Sequence, residues 1–248
     1  FVVKWKWEGT DMMFLITGFD KQKDKGFGIH AIAFMEAAKS LINSEEYQKE
    51  FNPQKHIPIQ YLLRHSVELY LKSMIISIHV FLNLPYHKGS KSMLFLDKEG
   101  KERNIENSHW IDTLFWYWST LLDEHKEVLT KKAVGSNWAM HPELSDLIEF
   151  ISEYDRDGTY FRYPYGKKSN DKDSEKYSVK DIAIDLEEMI NREKGSFITL
   201  IKDEDNIVKD AYQYDESTLK EVEKALLKTA EILSGYHAMT RYTFFKGY

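Results

Sequence analysis

The sequence predicts a mainly α-helical fold, an up-and-down bundle of four to six helices that carries short β-hairpin appendages. The first observation is a long run of apolar residues at helical spacing over residues 57–83. The second is a Thr-x-x-Glu capping box, Thr218 to Glu221, ahead of another helical pattern. The third is the composition, because 42% hydrophobic and 30% charged residues are typical of a globular chain rather than a disordered one.

Residues 1–27 are predicted to form an N-terminal β-hairpin appendage. Val3, Trp5 and Trp7 alternate with lysines, which is the period of a half-buried strand, and a turn at residues 9–11 precedes a second apolar stretch. A first helix is then expected over residues 28–50.

The second helix, predicted over residues 57–83, is the best candidate for a central helix. Its apolar residues recur every three or four positions, at Leu63, Val67, Leu71, Met74, Ile78 and Leu82. Because Leu62, Leu69 and Ile76 widen this stripe, we expect the helix to be buried on most sides.

Residues 84–108 are predicted to be an insertion that contains a hairpin. Residues 93–96 and 101–103 have strand character and flank a polar turn. A third helix should begin at about residue 109, and Pro142 should open a fourth helix over residues 142–156.

Residues 166–214 are predicted to form a second insertion, composed of a polar loop, a helix over residues 179–193 and a hairpin over residues 197–214. The last helix should follow the capping box and present Leu219, Val222, Leu226 and Leu233 to the core. The helical core is therefore expected to comprise residues 28–165 and 215–242.

Composition excludes several classes of function. The chain has no cysteine, so disulfides, thiolate metal sites and a cysteine nucleophile are excluded, and we expect a cytoplasmic protein. No apolar run approaches the roughly 20 residues that a membrane span needs. The net charge of −6 means that any nucleic-acid binding must use a local basic patch. No metal-ligand or cofactor motif stands out, and we expect neither group.

A polar ribbon interrupts the second helix. Arg64, Glu68 and Lys72 stand at successive i, i+4 positions, next to His65. One interpretation is a salt-bridge ladder on the solvent face. The other is that these charges face partners inside the bundle or line a cleft, where an unpaired charge would be costly.

Two further polar features lie in apolar surroundings. Ser108 and His109 precede the third helix, where a histidine can either cap the helix or serve a site. Arg162 and Tyr163 belong to an extended Phe-Arg-Tyr-Pro segment after the fourth helix. Arg162 can anchor the loop, by satisfying Glu68 or helix-end carbonyls, or can bind phosphate.

Together these features resemble the HEPN (higher eukaryotes and prokaryotes nucleotide-binding) family. The Glu68-x-x-x-Lys72 helix, the His109 helix start and the Arg162-Tyr163-Pro164 segment occur in that family's order, over about residues 57–164 and 217–236. The resemblance implies a HEPN-like bundle in which Arg64, Glu68, Lys72, His109, Arg162 and Tyr163 bind a ligand. It implies RNA, a nucleotide or a partner protein as that ligand.

The same family includes metal-independent endoribonucleases of toxin-antitoxin and phage-defence systems. Arg103, Asn104 and His109 are a formal match to their Arg-polar-x₄-His motif. In that reading His109 acts on a ribose 2′-hydroxyl or the leaving oxygen, Arg103 stabilises phosphorane charge and Asn104 orients the phosphate. The resemblance would then imply a homodimer, or an antitoxin or nucleotidyltransferase protein as partner.

Because Arg103 belongs to the predicted hairpin, we favour a non-classical HEPN-like binding module over a classical RNase. A third hypothesis is a non-enzymatic scaffold or subunit whose aromatic surface docks another protein, with the alternative that these rings belong to the core. The aromatic residues concerned are Trp110, Trp116, Tyr117 and Trp118.

Overall fold

The computed structural model describes residues 2–7, 10–15, 22–49, 54–86, 93–132, 137–162, 179–181, 198–214 and 219–245. These residues form a mainly helical fold with three small antiparallel sheets. The helices are α1 Phe27–Asn43, α2 Glu45–Lys49, α3 His56–Leu82, α4 Ile111–Lys132, α5 Leu144–Asp155 and α6 Lys220–Phe245. The strands are β1 Val2–Trp7, β2 Thr10–Leu15, β3 Leu94–Leu96, β4 Glu102–Asn104, β5 Val179–Asp181, β6 Ile198–Lys202 and β7 Val208–Tyr214.

Helix α3 is the central element of the fold. It packs against α1, α4 and α6, and its bounds lie within one residue of the predicted 57–83. Five residues of the predicted apolar stripe are fully buried, at Leu63, Val67, Leu71, Met74 and Ile78. Burying a side chain of this size contributes about 1.5–3 kcal/mol, so α3 supplies much of the core's stability. No helix in the described ranges combines the length and apolar character that crossing a bilayer requires.

The predicted first helix, residues 28–50, is divided in two. Ser44 adopts an extended backbone with ψ 110°, and its Oγ accepts a hydrogen bond from the Tyr47 N–H at 3.1 Å. A serine that caps a new helix cannot also continue the old one, so α1 ends at Asn43 and α2 begins at Glu45.

The hairpin within residues 84–108 is present, and strands β3 and β4 pair Leu94 with Asn104 and Leu96 with Glu102. The Asp97 carboxylate shapes its turn, because Oδ1 accepts the N–H groups of Glu99 and Lys101. Arg103 therefore lies on a strand, as the sequence indicates.

The helix predicted to start at residue 179 needs correction at that end. Val179–Asp181 is a strand that pairs with Tyr212–Tyr214 of β7. Its backbone polar groups bond to a neighbouring strand and cannot form the intrahelical bonds that a helix requires. Residues 182–193 of that prediction, and the capping residue Thr218, lie outside the described residues.

The aromatic residues of the scaffold hypothesis differ in burial. Trp118 is 1% exposed and belongs to the core, as its helical spacing indicates. Trp110, Trp116 and Tyr117 are half-buried, and the Tyr117 hydroxyl lies 2.9 Å from His79 Nε2. The four rings therefore do not form one exposed aromatic surface.

The N-terminus of α1 is tied to α3 and α6 by a buried carboxylate. Asp24 Oδ2 accepts the Gly28 N–H at 2.9 Å and the Ser73 hydroxyl at 2.6 Å, and it lies 3.9 Å from His237 Nε2. Burial opposes ionisation, but the nearby His237 and the hydrogen bonds from Ser73 and Gly28 hold the pKa of Asp24 well below its usual range.

Gly28→Ala should destabilise the protein because an added Cβ would overlap His237 Nε2 and lie 2.7 Å from Asp24 Oδ2. The expected loss in free energy of unfolding is about 1–3 kcal/mol, measured by urea denaturation. Gly235→Ala in α6 is the matched control, since its Cβ would enter open space. It should raise stability by up to about 1 kcal/mol, and equal effects of the two variants would contradict the packing argument.

Candidate functional site

A buried carboxylate, Glu68, is the centre of the polar ribbon on α3. Its Oε1 accepts a hydrogen bond from Lys72 Nζ at 2.8 Å, and its Oε2 accepts one from Arg64 Nη1 at 3.2 Å. The three side chains are only 1–2% exposed. The i, i+4 spacing places them on one face, and that face points into the protein, so the solvent-face ladder is not what forms.

The Arg64 guanidinium joins α3 to two distant parts of the chain. Its Nε donates to the Asp155 carbonyl at 3.0 Å, and its Nη2 donates to the carbonyls of His109 at 2.5 Å and Arg156 at 3.2 Å. A planar guanidinium has five N–H donors, which allows one buried side chain to hold several acceptors. Arg64 thereby fixes the end of α5 against the segment that precedes α4.

Lys72 has the same role one turn further along α3. Besides Glu68, its Nζ donates to the Glu106 carbonyl at 2.9 Å. An unpaired buried ammonium would cost several kcal/mol, and Lys72 is paired both by Glu68 and by the Glu106 carbonyl, which holds that segment against α3.

The electrostatics of the cluster favour an ionised Glu68. Burial by itself would raise the pKa of Glu68, but the charges of Lys72 and Arg64 lower it to about 2. Burial raises the pKa of Asp155 and outweighs the opposing charge of Arg64, whose Nε lies 3.9 Å from Asp155 Oδ2.

The imidazole of His109 connects this interior to solvent. Its Nδ1 lies 3.0 Å from Glu68 Oε1, while 42% of the side chain is exposed. Since Glu68 is ionised and accepts only, Nδ1 must carry the proton. Nε2 then has a lone pair in the neutral ring, and no hydrogen-bond partner for it occurs among the described residues.

His109 lines an open pocket of about 510 Å³. The wall is built by the β3–β4 hairpin, the segment before α4 and the turn after α5. Its residues are Glu102, Arg103, Asn104, Asn107, Ser108, His109, Trp110, Asp157, Thr159 and Arg162. A volume of this size is in the range of small-molecule sites.

Two arginines pack on Trp110 at the pocket wall. The Arg103 and Arg156 guanidinium carbons lie 4.3 Å and 4.5 Å from the ring centroid. Arg103 Nε also donates to Asp97 Oδ2 at 2.8 Å. Arg103 is thus oriented by its own hairpin. It lines the same pocket as His109, which belongs to a different segment of the chain.

The turn after α5 supplies Arg162. Gly158, at φ 75°, adopts the left-handed conformation that glycine favours, and its added Cβ would lie 3.5 Å from Arg64 Nη2. The Arg162 guanidinium lies 5.9 Å from the Tyr61 ring centroid and has no ion pair with a described carboxylate. Arg64, rather than Arg162, satisfies Glu68 and the helix-end carbonyls, so the anchoring role considered for Arg162 is already filled.

The predicted site residues fall into two groups. Four of them, Arg103, Asn104, His109 and Arg162, line the pocket. Three others are interior, at Arg64, Glu68 and Lys72. These three residues are expected from the sequence to contact a ligand directly. Their polar groups instead bind protein atoms and hold the segments of the pocket wall in position. Tyr163 lies outside the described residues.

Sequence reasoning missed Asp157 and Thr159, which also line the pocket. The signal was available, since Asp-Gly-Thr directly before the Arg162 segment is typical of a tight turn. The described residues contain no cluster of three His, Asp or Glu side chains suited to a metal ion.

Lys72→Met should lower the free energy of unfolding by about 3–5 kcal/mol, because it leaves part of a buried ion network unpaired. Lys49→Met is a matched control, since Lys49 forms the same i, i+4 pair with Glu45 at the surface. That variant should leave urea denaturation nearly unchanged. A small effect of Lys72→Met would refute the structural role of the network.

Stability should fall as the pH drops from about 7 to 5, partly through His65. Burial lowers the pKa of His65, which packs against Phe34 and Tyr61, so the folded state takes up a proton at a lower pH than the unfolded state, whose histidine titrates near about pH 6.5. His65→Phe should reduce the slope of unfolding free energy against pH, as measured by urea denaturation. Val67→Ala, a buried neighbour without a titratable group, should keep the wild-type slope; a shared slope in all three proteins would contradict this assignment.

The comparisons with known proteins give no match for this chain. No family model fits it, and neither the curated proteins nor the solved structures contain one with significant similarity. A functional assignment therefore rests on the geometry of the pocket and on the sequence features that led to it.

Proposed function

We propose that this chain is a non-classical HEPN-like module that binds the phosphate of a nucleotide or of RNA in the pocket beside His109. The single observation that carries the proposal is that Arg162, Asn104 and His109 line one cavity. Arg162 is exposed and has no ion pair with a described carboxylate, and Glu68 holds the His109 ring through Nδ1. Phosphate is the common biological ligand for such a set of cationic and amide donors.

Asn104 adds an oriented donor to this set. Its Oδ1 accepts the backbone N–H groups of Glu106, at 2.8 Å, and Asn107, at 3.3 Å. The carbonyl side of the amide is therefore occupied, and its Nδ2 is left to donate. The hydrogen bonds of Arg64 and Lys72 support the proposal further, because they hold the segments of the pocket wall in position without a ligand. Such preorganisation reduces the free-energy cost of binding.

The order of features is the argument for the HEPN-like assignment. The ribbon on the central helix, the histidine before the next long helix and the arginine after the helix that follows all contribute to one site region. The mainly helical architecture with α3 at its centre is consistent with this assignment.

Arg162→Ala should weaken binding of AMP or of a short single-stranded RNA by about 10- to 100-fold, the value of one charge-assisted hydrogen bond. Isothermal titration calorimetry on the full chain measures this. Arg241→Ala, which removes an arginine from α6 away from the pocket wall, should bind as the wild type does. Absence of binding to the wild type at millimolar nucleotide would refute the proposal.

A second candidate function is metal-independent cleavage of RNA, favoured because Arg103, Asn104 and His109 line the same pocket. In this reaction His109 Nε2 takes the proton of a 2′-hydroxyl, whose oxygen attacks the adjacent phosphorus. The bond between phosphorus and the 5′-oxygen breaks, the 5′-oxygen takes a proton from water, and a 2′,3′-cyclic phosphate forms while Arg103 offsets the developing charge. The carboxylate of Glu68 holds the imidazole in the tautomer that this requires.

Cleavage should be detected by gel electrophoresis of labelled RNA in EDTA, and both Arg103→Ala and His109→Ala should reduce its rate at least 100-fold. Arg241→Ala again serves as control. RNA that stays intact with wild-type protein, or cleavage unaltered in the two pocket variants, would remove this candidate.

A further inference from the structure

Asp157 adds a carboxylate to the donors of the pocket wall. Its Oδ1 accepts the Thr159 N–H at 3.1 Å and the Thr159 hydroxyl at 2.5 Å. Both lone pairs of Oδ1 are thus used within the turn. Oδ2 has no hydrogen-bond or ion-pair partner among the described residues, although the side chain is half-buried in the pocket wall.

Asp157 and Arg162 lie in one turn, which internal hydrogen bonds hold together. The Arg162 N–H donates to the Thr159 carbonyl at 3.2 Å, and the Tyr160 N–H donates to Asp155 Oδ1 at 2.9 Å. Arg64 holds the start of this turn through the carbonyls of Asp155 and Arg156. The carboxylate is therefore an oriented acceptor and not a mobile surface charge.

The position of this carboxylate is unfavourable for a site that binds phosphate alone. A negative group in the wall repels a phosphate, and neither pocket arginine neutralises it, since Arg103 pairs with Asp97 and Arg162 lies over Tyr61. The arrangement suits a ligand that carries a hydrogen-bond donor at a distance from its phosphate.

We propose that Asp157 selects the base of the bound nucleotide, by accepting a hydrogen bond from an exocyclic amino group. Adenine, cytosine and guanine have such a group. Uracil has a carbonyl in its place, and its single ring N–H is flanked by two carbonyl oxygens that would face the carboxylate. This inference rests on the proposed phosphate site, and it makes the module a reader of amino-bearing bases.

CMP and UMP are the sharpest probes, because their bases differ only at ring positions 3 and 4. Cytosine has an amino group at position 4 and no proton on N3, whereas uracil has a carbonyl at position 4 and a proton on N3. Calorimetry on the full chain should show CMP binding about tenfold more tightly than UMP. In Asp157→Asn the amide oxygen can keep the Thr159 bonds, which leaves Nδ2 where Oδ2 was. That variant should lose the preference for CMP or favour UMP, because the amide donates to the uracil carbonyl. Asp146→Asn, an exposed acid on α5, should keep the wild-type ratio.

Each outcome separates the two proposals. If neither nucleotide binds the wild type, the phosphate site itself is refuted. If both bind equally, and binding still depends on Arg162, then base selection by Asp157 is refuted while the phosphate site stands. The ratio of the CMP and UMP affinities of the wild-type protein tests base selection even if Asp157→Asn fails to fold. Tighter binding of UMP than of CMP by the wild type would overturn base selection.

Discussion

The buried charge of Glu68 is the constraint on which the rest of the site depends. A carboxylate in the interior must be paired, and Arg64 and Lys72 pair it from one turn away on either side. These two cations then have more donors than Glu68 can accept. The remaining N–H groups of Arg64 and Lys72 donate to backbone carbonyls before α4 and at the end of α5. The two cations that pair Glu68 on α3 therefore also position these two segments.

This arrangement separates support from the proposed recognition. The supporting charges are paired to protein and lie inside, whereas the donors in the pocket wall are half-buried or exposed and come from three segments that are far apart in the chain. His109 belongs to both sets, since one ring nitrogen faces Glu68 and the ring itself lines the pocket. The segments that line the pocket are thus held by interactions that a ligand would not have to replace.

In the part of the chain that the structure describes, a carboxylate lies beside a histidine at two places, with different consequences. Asp24 and His237 are both buried, at 4% and 2% exposure, and connect α1 to α3 and α6. The histidine beside Glu68 is 42% exposed. Similar chemistry therefore serves packing at one place and a candidate binding site at the other, and access to solvent makes the difference.

The sequence by itself determined the helical class, the central helix with its apolar stripe, the hairpin that contains Arg103 and the i, i+4 order of Arg64, Glu68 and Lys72. These follow from local periodicity, which depends on neighbours within a few residues. Only the tertiary structure decided that the ribbon points inward, that Arg64 and not Arg162 anchors the loops, and that Asp157 joins Arg103 and His109 in one pocket. Those outcomes depend on which backbone carbonyls each side chain contacts and on whether it faces the pocket or the interior. Such contacts join residues that are far apart in the chain, so the spacing of residues in the sequence does not predict them.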